Sequence, residues 1–208
     1  GQSRYIHKQE DLMTFDEFKT TLNEKVKPDS FENLRKRAFL ALLFWSPLRS
    51  SEIYDRTFKD FEITQSHFII HLQRKKKKYK TPQEDEPLEI PLSLPLMDEV
   101  VSYIQGEEWK RKVIIGRGKN GRRKRELSNR PFHISDTTAW TYVKDVFSEH
   151  YCHYFRFRFI TDSLNKDVNV SEIKAVTGLH LVTINEYLMA PKRLQKHVYE
   201  KIAEETKA

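Results

Sequence analysis

His153 and Arg156 stand three positions apart in a stretch rich in aromatic residues. At this spacing two side chains lie on the same face of a helix, so the imidazole and the guanidinium point in the same direction. Phe155, Phe159 and Ile160 recur at the helical period and are expected to pack this turn against a core. A cation beside an imidazole suits an anion, of which phosphate is the commonest in biology. The pair is therefore a candidate phosphate site. Without support from the rest of the chain, a histidine and an arginine at this spacing are more often ordinary surface charges.

The overall charge of the chain favours a polyanionic partner. Its 208 residues include 37 Lys and Arg against 30 Asp and Glu, which gives a formal net charge of +7. A nucleic acid fits this balance better than a membrane surface does, and no apolar run approaches the roughly 18 residues of a membrane span. The single cysteine, Cys152, excludes an internal disulfide and a cysteine-based zinc site, and it suits a reducing compartment such as the cytoplasm.

Hydrophobic periodicity predicts one domain of the α+β class, mostly helical, with one small antiparallel sheet. Thr14 and Ser135 have the types and positions of helix N-caps, and Gly178 has that of a helix stop. Besides the helix that carries His153, the predicted helices cover residues 14–22, 31–45, 97–104, 135–147, 171–177, 179–188 and 194–203. The predicted strands cover residues 68–72 and 88–92, and a further short strand is predicted at 113–115.

A tight elbow is predicted at residues 46–49, between the helix over 31–45 and a following helix. Pro47 ends the first helix, and Ser50 or Ser51 is expected to cap the second. Arg49 therefore lies at a helix junction. Taken alone, it would be interpreted as a surface arginine paired with Glu52.

Two strongly basic segments are predicted to contact DNA. The first is the tip of the hairpin between the two predicted strands, and the second is a flexible loop at 116–125 that follows a short apolar run at 113–115. The second segment lacks the strand context and the Gly-Lys-Ser/Thr ending of a phosphate-binding P-loop, so it is not a nucleotide site. The residues expected to bind DNA phosphates are Lys75, Lys76, Lys77, Lys78, Arg122, Arg123, Lys124 and Arg125.

Four short motifs occur in a fixed order along the chain. Ser-Pro-Leu-Arg-Ser-Ser-Glu-Ile at 46–53 is similar to a TGLRxSEL elbow, and the stretch at 153–161 is similar to HxLRHSFAT. Ile-Pro-Leu at 90–92 is similar to the vPL that closes a lysine hairpin, and residues 177–187 are similar to LGHSSxxTTxxY. In this order the motifs resemble the catalytic domain of tyrosine recombinases, the phage integrase family, over roughly residues 11–190.

The resemblance implies an enzyme that cuts and rejoins DNA strands through a 3′-phosphotyrosyl intermediate. Arg49 and Arg156 would hold the scissile phosphate, Tyr187 would attack phosphorus, and His153 would act as the base. Two guanidinium groups suit this role because they stabilise the charge that grows in the transition state. The family uses no metal and no other cofactor, and none is expected here.

Two further roles implied by the resemblance stay open between residues. The lysine that protonates the leaving 5′ oxygen is expected to be Lys80, with Lys75 as the next choice. His180 is the candidate for a second histidine at the phosphate. It departs from the family pattern, because Leu179 separates it from the glycine and it lies seven residues before Tyr187 rather than about nine.

The resemblance also implies partners and an origin. Residues 11–208 are expected to form the catalytic domain without the core-binding domain that usually precedes it. The expected partners are double-stranded DNA and further copies of the chain in a tetramer, with no small-molecule substrate and no membrane. The helix at 194–203 either packs on its own protomer or is exchanged between protomers. An archaeal virus or a plasmid is the expected source, and the protein would act on host DNA in the cytoplasm.

Two other interpretations explain part of the sequence. A non-catalytic DNA-binding protein could use residues 171–190 as a helix-turn-helix and the lysine run as a phosphate anchor. It would leave Arg49, His153 and Arg156 without a role. A type IB topoisomerase or a telomere resolvase would use similar residues on DNA, although the small size and the elbow motif favour a recombinase.

Overall fold

The computed structural model describes residues 12–72, 87–111, 113–117, 119–121, 123–179, 183–184, 199 and 202–206. Its helices are α1 (Phe15–Lys25), α2 (Phe31–Phe44), α3 (Ser50–Tyr54), α4 (Met97–Gly106), α5 (Asp136–Val146), α6 (Cys152–Asn165) and α7 (Val170–Thr177). Its strands are β1 (Phe61–Ile63), β2 (His67–Ile70), β3 (Leu88–Pro91), β4 (Val113–Arg117) and β5 (Arg123–Leu127). The predicted α+β class is therefore confirmed. Within these ranges no helix has both the length and the apolar character needed to cross a membrane.

Local hydrogen bonds explain where the helices begin and end. The hydroxyl of Thr14 accepts from the N–H of Glu17 at 3.2 Å, and the hydroxyl of Ser135 accepts from Thr138 at 3.0 Å, as the sequence predicts. A cap of this kind contributes about 1 kcal/mol. At the end of α7, Gly178 adopts a left-handed φ of 67°, which glycine reaches without strain.

The core forms around α2, whose residues 38–44 are all buried. Four phenylalanines meet there, three from α1, α2 and α6 and one, Phe147, directly after the end of α5. The Phe18 ring centroid lies 4.5 Å from that of Phe44, 5.1 Å from that of Phe147 and 5.9 Å from that of Phe155. Phe155 belongs to α6, so this cluster fixes the helix that carries His153 and Arg156. The predicted packing of that helix is confirmed for Phe155 and Ile160, which are fully buried, whereas Phe159 is only half-buried.

A buried arginine joins α2 to α4 and to the chain between α1 and α2. Arg37 donates from Nε to Glu99 Oε1 at 2.7 Å and from Nη2 to Glu99 Oε2 at 2.9 Å. The same guanidinium donates to the carbonyl of Val26 at 2.7 Å and to the side chain of Asn23 at 2.8 Å. These bonds stabilise the region around α4, away from α6 and α7.

The three-stranded sheet is antiparallel in the order β1-β2-β3. Phe68 of β2 pairs with Ile63 of β1 and with Ile90 of β3, and Ile70 pairs with Leu88. This confirms the two predicted strands with slightly different ends, and β1 adds an edge strand that was not predicted. The lysine-rich segment connects the paired ends of β2 and β3, and residues 73–86 lie outside the described part.

The short strand predicted at 113–115 is confirmed as the start of β4, but the prediction of a flexible loop at 116–125 was wrong. Strands β4 and β5 pair in an antiparallel two-stranded sheet, with Val113 opposite Leu127 and Arg117 opposite Arg123. Asn120 and Gly121 both have positive φ, at 74° and 72°. An Asn-Gly pair is a strong short-range signal for a hairpin turn, because both residues tolerate this conformation. The basic residues of the segment therefore belong to a hairpin.

Candidate active site

The elbow at 46–49 presents Arg49 as the N-cap of α3. The residue has an extended backbone, with φ −71° and ψ 151°, and its N–H donates to Glu52 Oε1 at 3.0 Å. The predicted cap by Ser50 or Ser51 was wrong, because both residues lie inside α3. A carboxylate on the third residue of a helix can accept the N–H of the N-cap residue, which stands just before the helix. The helix start thus uses the Arg49 backbone, and the Arg49 side chain is exposed.

Arg156 is the most deeply buried charged side chain in the described part, with 1% exposed. Its Nη1 donates to the carbonyl of Pro47 at 2.6 Å and lies 3.6 Å from Glu52 Oε1. Its Nη2 donates to the carbonyl of Thr177 at 3.2 Å. One guanidinium thus joins the elbow, α3 and the end of α7. Its orientation is fixed by partners from three parts of the chain.

His153 lies one turn before Arg156, near the start of α6, and it keeps part of its surface exposed. The pKa of His153 is lowered, first by partial burial of the ring and then by the positive charges of Arg156 and Arg49. Both arginines therefore act on the same imidazole. The structure brings Arg49, His153 and Arg156 together, and it favours a neutral ring that can accept a proton near pH 7.

Cys152 precedes His153 but has the properties of a structural thiol. Its Sγ contacts the carbonyl of Ala139 at 3.5 Å. Burial raises the pKa of the Cys152 thiol to about 11. A thiol is nucleophilic as the thiolate, so Cys152 is not suited to attack a phosphate.

The chain is similar in structure to several solved proteins. A XerH site-specific recombinase bound to difH substrate in a pre-cleavage complex superposes with a TM-score of 0.60 at 14% identity, over 89% of this chain and 51% of that one. A Tn1549 transposon integrase in complex with transposon right end DNA gives 0.59 at 18% identity, over 92% and 65%. A XerA recombinase gives 0.58 at 16% identity, over 91% and 62%. The chain has the fold of a tyrosine recombinase catalytic domain.

The likeness to recombinases is one of fold. A scan against models of protein families found no match to the sequence, and a search of curated proteins found none either. The chain spans between about half and two thirds of the length of the three recombinase structures. At 14–18% identity the roles of individual residues must be argued from the site itself.

Several residues that the recombinase resemblance implies lie outside the described part. They are Lys75, Lys76, Lys77, Lys78, Lys80, Arg122, His180 and Tyr187. The backbones of Arg123, Lys124 and Arg125 form part of β5, but their side chains are not in the described part of the structure. Thr183 and Ile184 are helical, and Ile184 is fully buried in the core. The chain is therefore anchored three residues before Tyr187.

Glu52 has a larger part in the site than the sequence suggested. Taken alone, Arg49 was interpreted as a surface arginine paired with Glu52. In the structure the Glu52 carboxylate accepts the N–H of Arg49 and lies beside the guanidinium of Arg156. The signal for this was the spacing of a capping box, in which the third residue of a helix reaches back to the N-cap.

Metal ligands are not gathered in the described part of the recombinase fold. No group of three or more His, Cys, Asp or Glu residues close enough to hold a metal ion occurs there. The site that the described residues form is cationic, and Arg49, His153 and Arg156 suit an anion with several oxygen atoms.

Proposed function

We propose that this chain is the catalytic domain of a site-specific recombinase that cuts and rejoins double-stranded DNA through a 3′-phosphotyrosyl intermediate. The observation that carries the proposal is the fixed guanidinium of Arg156, held by Pro47 and Thr177 beside the N-cap Arg49. Residues 11–208 would form this domain. The compared recombinase and integrase structures are complexes with DNA in two of the three cases, which supports DNA as the substrate.

The two arginines would bind the non-bridging oxygens of the scissile phosphate. Phosphate carries a full negative charge, and more charge accumulates on its oxygens during attack. Donors that are already oriented stabilise this charge without reorganising at the moment of reaction. Arg156 meets this condition because its partners fix the guanidinium plane, and exposed Arg49 can close on the phosphate from the elbow.

His153 would accept the proton of the attacking tyrosine. A tyrosine hydroxyl has an ordinary pKa of about 10, so its ionisation at pH 7 costs about 4 kcal/mol. A neutral imidazole offsets part of this cost by taking the proton as the oxygen attacks phosphorus. The lowered pKa of His153 keeps the ring neutral under ordinary conditions.

Tyr187 is proposed as the nucleophile, with Lys80 as the acid for the leaving 5′ oxygen and Lys75 as the alternative. The core anchor at Ile184 supports Tyr187, since it holds the chain three residues away. The pairing of β2 with β3 supports Lys80, because the lysine segment joins these strands. His180 would bind the phosphate as the second histidine.

The basic segments at 75–78 and 122–125 would bind the DNA backbone on either side of the site. The formal net charge of +7 supports such binding, which weakens as salt concentration rises. A tetramer of four copies on two paired DNA sites and action on host DNA in the cytoplasm complete the proposal.

Formation of a covalent protein–DNA adduct tests this function. Supercoiled plasmid is incubated with the chain in EDTA and then run on a denaturing gel, beside Tyr187→Phe and the matched variant Tyr199→Phe. Tyr199 is exposed and lies close in the sequence, so it controls for the loss of a tyrosine hydroxyl. We expect relaxation and an adduct with the unchanged chain and with Tyr199→Phe, and neither with Tyr187→Phe.

Other outcomes would contradict the assignment. An adduct that persists in Tyr187→Phe would exclude Tyr187 as the nucleophile. DNA binding without relaxation or adduct, in the unchanged chain and in both variants, would favour a non-catalytic DNA-binding protein.

A further inference from the structure

Helix α6 carries a second buried arginine, two residues after Arg156. Arg158 is 9% exposed, and its Nε donates to the carbonyl of Met13 at 2.5 Å. One turn earlier on the same helix, the hydroxyl of Tyr154 accepts from the N–H of Met13 at 3.0 Å. Both backbone polar groups of one residue before α1 are thus held by side chains of α6.

Arg158 also contacts the end of α2. Its guanidinium carbon lies 4.1 Å from the centroid of the Phe44 ring. Phe44 is the last residue of α2, and Pro47, which accepts from Arg156, lies three residues further along. Two arginines of α6 therefore hold the stretch that leads to Arg49 at two successive points.

Burial of the Arg158 charge is costly, which indicates a use beyond filling space. Burial lowers the pKa of Arg158. Asp162 and Tyr154 act in the opposite direction but do not cancel this effect. A methionine of similar length could cover the Phe44 ring without desolvating a cation. What methionine could not supply is a directed hydrogen bond from a rigid, planar group. The arginine is thus suited to fix a position.

We propose that Arg158 is a positioning residue for the phosphate site, because it sets α6 against Met13 and Phe44 so that His153 and Arg156 face Arg49. The inference rests on the proposed function, since it assigns a role in the same site. Arg158 itself acts at a distance, through the placement of α6.

Arg37 provides the matched control for a purely structural role. It is also a buried arginine of the core, and it also donates to a backbone carbonyl, that of Val26 at 2.7 Å. Its other partners are Glu99 on α4 and Asn23 on α1, so none of these bonds reaches α6 or the elbow. If Arg158 only stabilises the fold, Arg158→Met and Arg37→Met should have the same consequences.

The first measurement is the pKa of His153, which is obtained from an NMR titration of the full chain with ¹³C-labelled histidine. Burial, Arg156 and Arg49 lower this pKa, so a change in Arg158→Met reports a movement of α6 and not the loss of the Arg158 charge. We expect the pKa of His153 to rise towards 6.5 in Arg158→Met, to rise less in Arg158→Lys and in Tyr154→Phe, and to stay unchanged in Arg37→Met.

The second measurement is the rate of adduct formation at saturating DNA. We expect a loss of about 10- to 100-fold in Arg158→Met, because a displacement of about 1 Å in a reacting group is sufficient for it. The affinity for DNA should change little, and Arg158→Lys should recover part of the rate. Arg37→Met should cleave at the normal rate after its loss of stability is allowed for.

An unchanged His153 pKa in Arg158→Met, or equal changes in Arg158→Met and Arg37→Met, would overturn the proposal. If Arg158→Met does not fold, the comparison of Tyr154→Phe and Arg158→Lys with the unchanged chain decides by the same criterion. The NMR titration needs no DNA cleavage. An unchanged chain that forms no adduct would thus contradict the proposed function alone, while the titration still decides the role of Arg158.

Discussion

The carboxylate of Glu52 lies 3.6 Å from the guanidinium of Arg156, and one of its oxygens also accepts the N–H of Arg49. A single acidic side chain thus connects the backbone of one site arginine to the side chain of the other. It aligns the two cations while removing part of the positive charge around them.

Replacement of Glu52 separates its two contributions. We expect Glu52→Ala to lower the free energy of unfolding by about 1 kcal/mol, because α3 loses the acceptor at its N-terminus. Glu52→Gln keeps an oxygen acceptor and should lose less. Urea denaturation followed by circular dichroism measures both. Equal losses in the two variants would show that the charge matters and the cap does not.

Arg156→Lys should abolish most cleavage while the fold is retained. An ammonium group cannot donate in one plane to Pro47 and Thr177 and still present a donor pair to phosphate. Loss of an oriented donor of this kind lowers the rate by roughly 100- to 1,000-fold. Single-turnover adduct formation gives the rate, and Arg130→Lys, which changes a surface ion pair with Asp55, is the control. Similar rates in the two variants would disprove the phosphate role.

The pH dependence of cleavage should report His153. Its pKa in the folded chain is lowered, so the ring stays neutral as the pH falls through 6.5 and takes a proton only below that value. We expect the acid limb of the rate profile to lie below pH 6.5 and to move upward in Arg49→Gln, which removes one of the two charges.

His133 is the control for this profile. Burial first, and then Arg130 and Arg35, lower the pKa of His133 as well. Stability linked to either histidine is therefore present above about pH 6.5 and is lost as the pH falls, since the unfolded chain binds the proton more readily. His133→Asn should change the acid stability without moving the acid limb of cleavage. A limb that follows His133 would contradict the role of His153.

Two glycines should respond to alanine in opposite directions. Gly106 ends α4, and a Cβ added there meets no atom within 4 Å, so Gly106→Ala should raise the free energy of unfolding by about 0.5 kcal/mol. Gly121 has a φ of 72°, which costs an L-residue about 1 kcal/mol, so Gly121→Ala should lower it by that amount. Thermal unfolding of the two variants checks this. A stabilised Gly121→Ala would mean that the hairpin turn does not require a left-handed residue.

The sequence predicted those features that depend on neighbouring residues. The cap at Thr14 and the stop at Gly178 join residues three or four apart, and Phe155 follows the period of a helix. Residues 113–115 were predicted as a strand, but the continuation of β4 and its pairing with β5 were missed because the basic composition of the segment outweighed the Asn-Gly signal. Strand β1 was missed because three residues give too short a pattern to recognise.

The site was predictable in its residue types but not in its geometry. His153 and Arg156 are recognisable because they share one helix face. The bond from Arg156 to the carbonyl of Thr177 involves a backbone oxygen, which every residue has, so no residue type marks it. The bonds of Arg158 and Tyr154 to Met13 likewise connect side chains to an ordinary backbone.

The bond from Arg156 to Pro47 also has a consequence for the order of folding. It joins residues 109 positions apart, whereas the helix caps join residues three apart. The chain must close this long loop before the bond contributes, and loop closure costs entropy that grows with length. The helices should therefore form first and the site should assemble late. On that order, substitutions that weaken this bond accelerate unfolding and leave the folding rate nearly unchanged.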